Sequence, residues 1–213
     1  MQPFSDRAKR LILSSEGNEP PSRKPPGASG VTIGYGYDLG YVTRSEFVND
    51  WGPVLQPEVI ERLLPAVGIR GDAALPIART LAGIVIPDAV ALSVFTTRSL
   101  PIYFAQTLAA FPGADALPLD AQGALVSLVY NRGGSMKDST TSGIHEDRRE
   151  MRMIRILVSN YPGEKRPGGR ESILRDIANQ ILMMRRIWEG RHMGGLITRR
   201  EQEAALVTSS IPK

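Results

Sequence analysis

The sequence predicts an α+β fold that is mostly helical, and three observations predict it. Apolar residues recur at three- and four-residue spacing along most of the chain. One segment only, around residues 31–41, alternates as a strand does. The 213 residues, 42% of them hydrophobic, suffice to bury a core without crosslinks, and there are no cysteines to supply any.

The elements follow in order. Phe4, Ala8, Leu11 and Ile12 mark one apolar helix face, with Ser5 placed to cap it. Four prolines among Gly17 to Gly30 make that stretch a loop. Thr43-Arg44-Ser45-Glu46 reads as a capping box ahead of Phe47, Val48 and Trp51. Pro57 opens a short helix with Val59, Ile60, Leu63 and Leu64 inward. Asp72 is expected to cap a helix over 73–83, and Pro87-Asp88 opens an apolar stretch to Phe111 that Pro101 should kink or divide. A strongly apolar helix follows Pro118 and ends near Tyr130, before a polar loop from Gly133 to Gly143. The apolar period predicts further helices over about 145–160, 170–189 and 196–208.

Composition removes several kinds of chemistry. Without cysteine there is no thiol catalysis and no thiolate metal site. His145 and His192 are the only histidines and lie far apart, which argues against a histidine zinc site or a serine–histidine triad. No cofactor and no metal is expected. Charged residues interrupt the N-terminus at Asp6, Arg7, Lys9 and Arg10, so it reads as neither a signal peptide nor a membrane span. Synthesis in the cytoplasm with action on the cell wall is the expectation, without stable membrane insertion. The net charge of +4 is uneven: residues 1–150 hold 14 basic and 16 acidic residues, and residues 151–213 hold 12 and 6. A basic C-terminal third fits a solvated helical face or attraction to an anionic polymer. Nucleic acid is not expected as the partner.

The most informative pairing is Glu16 with the run Val31-Thr32-Ile33-Gly34-Tyr35-Gly36-Tyr37-Asp38-Leu39-Gly40. Cleaving a glycosidic bond needs two carboxyl groups in unlike environments, one an acid and the other a base or nucleophile. Glu16 ends a helix, where the negative end of the dipole disfavours a charged carboxylate and favours one that keeps its proton. Thr32 and Asp38 would be about 20 Å apart on a straight strand at roughly 3.3 Å per residue. Joint action therefore requires a bend near Tyr35, for which Gly34 and Gly36 offer the turn.

Ser15-Glu16-Gly17, a loop, and Gly30-Val31-Thr32-Ile33-Gly34-Tyr35-Gly36 resemble the N-terminal active-site segment of phage-type lysozymes, glycoside hydrolase family 24. Ala124 to Gly133, ending Tyr130-Asn131-Arg132-Gly133, resembles the central buried helix of that family. Gly194 to Leu206, with Arg199-Arg200 and Glu203, resembles its C-terminal helix. The resemblance implies a single lysozyme-like domain: a small β-hairpin lobe at about 16–55, and a larger helical lobe at about 56–213 that includes the N-terminal helix, the two joined by a long helix. It implies a muramidase that cleaves the β-1,4 bond between N-acetylmuramic acid and N-acetylglucosamine in peptidoglycan. It assigns Glu16 and Thr32 to catalysis.

The aspartate usual in the family six positions before the threonine is replaced by Pro26, whereas Asp38 stands six positions after it. That order is closer to the muramidase domains of bacterial toxins of the same fold, so an antibacterial effector and a phage endolysin are equally compatible with it. Asp38 becomes the second acid, with Glu19 in reserve. Tyr35, Tyr37, Tyr130 and Asn131 are the candidate substrate-binding residues. Peptidoglycan strands are the expected partner, with an immunity protein or secretion machinery beside them. A catalytically inactive wall-binding module and a lytic transglycosylase are the alternatives, and a basic nucleic-acid-binding helical protein is the third class.

Overall fold

The computed structural model describes every residue except 1–3, 19, 23, 26, 141–142 and 213. It is mostly helical with one two-stranded antiparallel sheet. The chain divides into two compact units. The first comprises Met1–Ser15 and Tyr103–Lys213, and the second Glu16–Ile102.

The second unit holds strands β1 (Thr32–Ile33) and β2 (Tyr37–Asp38), then helices α2 (Arg44–Trp51), α3 (Pro57–Leu63), α4 (Ala74–Thr80) and α5 (Asp88–Val94); helix α1 (Asp6–Glu16) ends at its first residue. Thr43 and Glu46 form the expected capping box: Thr43 accepts from the Glu46 N–H, and Glu46 accepts from the Thr43 N–H at 2.8 Å. Val31, Ile33 and Leu39 of the hairpin region bury into one cluster with Phe47, Trp51, Ile60, Leu63, Leu81, Ile84 and Val94. The compact unit that begins at Glu16 runs to Ile102, and α3 to α5 bury their apolar faces in the same cluster as the hairpin and α2. Asp72 does not cap a helix: Gly71–Ala73 closes a tight 3-10 turn, which puts Asp72 inside the turn, and α4 starts only at Ala74.

After α5 the helix continues as a π segment, Phe95–Ser99, into α6 (Leu100–Ala110). Pro101 explains the change. Its ring lacks an N–H and would crowd the carbonyl four residues back in a regular helix. One wider turn before it, in which the Leu100 N–H reaches the Phe95 carbonyl, lets the helix continue undivided.

The first unit begins with α1 up to Ser15, where Ser5 caps the helix by accepting the Ala8 N–H at 3.2 Å. Helices α7 (Leu119–Arg132), α8 (Arg149–Asn160), α9 (Gly169–Met183) and α10 (Gly194–Ser209) complete it with α6. Every α7 residue from Ala121 to Val129 is buried, so this helix is the centre of the core, and Leu174, Ile177, Ile181 and Val207 pack in the same cluster. Glu150 is fully buried on α8 and is held by Arg186 through two hydrogen bonds, at 2.7 and 2.9 Å, and by Arg149 at 3.0 Å.

Candidate active site

The hairpin forms with the required bend. Strands β1 and β2 pair Thr32 with Asp38 and Ile33 with Tyr37. The turn between them is Gly34-Tyr35-Gly36, and both glycines have the positive φ that side chains resist, 56° and 74°. Directly opposed residues in an antiparallel pair place their side chains on one face, with Cβ atoms roughly 4.5–5.5 Å apart. Thr32 and Asp38, about 20 Å apart on a straight strand, are therefore neighbours. Thr32 is buried and Asp38 half-buried.

The Asp38 carboxylate is fully engaged by backbone. It accepts the Gly30 N–H on both oxygens, at 3.0 and 3.2 Å, and the Gly40 N–H at 2.8 Å. It thus caps the 3-10 turn Leu39–Tyr41 and ties the strand entering the hairpin to the chain leaving it. The backbones meet closely there: a Cβ on Gly30 would lie 2.6 Å from the Ile69 carbonyl oxygen and 2.7 Å from the Gly40 Cα.

The two tyrosines of the hairpin are held by side chains the sequence reading did not single out. Tyr37 is a core residue, 8% exposed, with its ring edge-on to Trp51 at 5.5 Å and its hydroxyl donating to Asp50 at 2.8 Å. Burial and the Asp50 hydrogen bond push the Tyr37 phenol well above its usual range. Arg98, in the π segment, donates to the same Asp50 oxygen at 2.9 Å and reaches Glu46 at 3.5 Å. Tyr35, at the tip, donates to Asp88 and meets Phe95 edge-on at 6.0 Å. The Asp88 hydrogen bond, with burial, raises the Tyr35 phenol as well. Asp50, Arg98 and Asp88 carried no local signal, because their partners are 13 to 53 residues distant in sequence.

Glu16 is the last residue of α1, half-buried, and the first residue of the second unit. Two residues on, the Asn18 amide donates to the Ile86 carbonyl at 2.9 Å, which fixes the start of the loop. Glu16, Thr32 and Asp38 belong to one compact unit. Glu19 and Pro26 lie outside the described residues.

Tyr130 and Asn131 belong to the other unit, in the last turn of α7. Gly133, with φ 70°, ends that helix by donating to the Val129 carbonyl at 2.7 Å. Tyr130 lies against Tyr103 with ring centroids 4.1 Å apart, and Asn131 accepts from Arg200 at 3.3 Å. Arg200 and Arg199 converge on one oxygen of the fully buried Glu203, at 2.9 and 3.4 Å, and Ser127 donates to it at 2.6 Å. This ion-pair cluster locks α10 to α7.

Among the described residues, no group of His, Asp and Glu is arranged to hold a metal ion, and no helix is long and apolar enough to cross a membrane. The chain matches no protein-family model and no curated protein.

Proposed function

We propose that the chain is a peptidoglycan hydrolase, a muramidase acting on the β-1,4 bond between N-acetylmuramic acid and N-acetylglucosamine. The observation that supports it is the hairpin register, which sets Thr32 opposite Asp38 in the compact unit that Glu16 opens. Protonated Glu16 donates to the glycosidic oxygen as the bond breaks. Thr32 orients the attacking water, and Asp38 accepts its proton or stabilises the positive charge developing at the anomeric carbon. The gene product acts as an antibacterial effector or an endolysin, with the glycan strand as its partner.

Asp38's three backbone hydrogen bonds favour a second reading, the lytic transglycosylase. That reaction runs with a single acid. Glu16 protonates the leaving oxygen, the muramyl 6-hydroxyl attacks the anomeric carbon, and its proton returns to Glu16. The products then lack one water relative to hydrolysis.

Mass spectrometry of soluble products from purified sacculi tests both. Reducing muramyl ends support the muramidase, and anhydro-muramyl ends support the transglycosylase. The Glu16→Gln variant should release neither while keeping the native circular dichroism spectrum. Wild-type protein that sediments with sacculi and releases nothing leaves only a wall-binding module, and release by the Glu16→Gln variant removes Glu16 from the acid role.

A further inference from the structure

We propose that a groove between α1 and α10, within the first unit, binds a small anionic amphiphile. It is a shallow groove open to solvent, with a volume of about 500 Å³. Its walls are two helical stripes. Arg7, Arg10, Leu11 and Ser14 recur at helical spacing on α1, and Gln202, Ala205, Leu206 and Ser209 do so on α10. Arg7 donates to Ser209 at 2.5 Å, which ties α1 to α10 at one end of the groove. Each stripe spans eight residues, a rise of about 10 Å along the helix.

The lining is chemically divided. Leu11, Ala205 and Leu206 form an apolar floor. At one end the positive charge of Arg7 is matched by Asp120, which also accepts from Ser5 and Ser209. Arg10 stands one turn further along α1, and among the described residues no carboxylate pairs with it. No lining residue is acidic. The unmatched cation beside an apolar floor selects an anionic head on a short apolar body: a carboxylate, sulfate or phosphate with an acyl or aryl tail. A neutral amphiphile forgoes the charge-assisted hydrogen bond, and a cationic one is repelled. The site is independent of the glycosidase reading, since none of its residues carries a role there.

Isothermal titration of the full chain with decanoate, below its micellar concentration, tests the proposal. One site per chain is expected, with decanol binding about tenfold more weakly or not at all. Arg10→Glu should weaken decanoate by at least about tenfold, and Ala205→Trp, which fills the floor, should abolish binding. Both positions are exposed, and circular dichroism confirms folding. Should Ala205→Trp not fold, the Arg10→Glu variant and the decanol comparison decide alone. Absence of decanoate binding, equal binding of decyltrimethylammonium, or affinity unchanged in Arg10→Glu overturns the site.

Discussion

Asp38 accepts the backbone N–H of Gly30, eight residues earlier, and that of Gly40, two residues later. One carboxylate thus closes the neck of the hairpin that presents Thr32. Asp38→Ala leaves these amides unpartnered and should cost about 1–3 kcal/mol in urea unfolding. Asp38→Asn keeps one acceptor oxygen and should cost less. The two variants also separate chemistry from support. If Asp38 is the second acid, Asp38→Asn loses muropeptide release at near-native stability; if it only positions Thr32, activity falls in step with stability.

Tyr37 and Arg98 meet on one oxygen of Asp50. Tyr37→Phe should cost about 1 kcal/mol, the worth of an ordinary hydrogen bond. Because both side chains share this acceptor, Tyr37→Phe and Arg98→Ala should be non-additive. A double-mutant cycle by chemical denaturation is expected to give a coupling of about 0.5 kcal/mol or more. Strict additivity would mean that the π segment and the hairpin are anchored separately.

Glu203 is fully buried between two guanidinium groups and Ser127. Burial pushes its carboxyl up, and Arg200 and Arg199 pull it back. Glu203→Leu strands two buried cations and should destabilise the first unit by about 3–5 kcal/mol. Replacing all three charges together, as Arg199→Met, Arg200→Met and Glu203→Leu, should recover most of that loss. Thermal unfolding of the single and triple variants checks both outcomes.

Glu150 sets a pH dependence. Burial alone would push its carboxyl up, but hydrogen bonds and charge from Arg186, with Arg149, hold it below the ordinary 4.5. A lowered folded value means that the unfolded chain takes up protons first on acidification, so the stabilisation is complete above that ordinary value and is lost as pH falls through the folded one. Melting temperature should therefore drop below about pH 4.5. Glu150→Gln should lower it at neutral pH and flatten the acid limb.

Where side-chain chemistry acts over a few residues, the structure was legible in the sequence. The Ser5 cap, the Thr43–Glu46 box, the hairpin turn at Gly34 and Gly36 and the end of α7 at Gly133 all follow from local rules. Asp72 shows the limit of such rules, since the tight turn at Gly71–Ala73 overrode its capping preference. Pro101 does not divide its helix, because one π turn absorbs it. The extent of the second unit was not legible, because the burial of Ile60, Leu81 and Val94 against the hairpin is a tertiary fact. For the candidate site, the pairing of Thr32 with Asp38 was readable from spacing. The anchoring of its tyrosines by Asp50 and Asp88 was not, since those partners come together only on folding.

The protein has two tryptophans, and each core holds one. Trp51 is sealed among the apolar side chains around the hairpin, Tyr37 and Phe47 included, whereas Trp188 lies with the guanidinium carbons of Arg132 and Arg200 at 5.0 and 5.5 Å from its ring. The molecule therefore carries a separate fluorophore in each half, one in an oily setting and one flanked by cations. Emission from chains keeping a single indole follows the melting of either half alone, and reveals whether they come apart in one event or two.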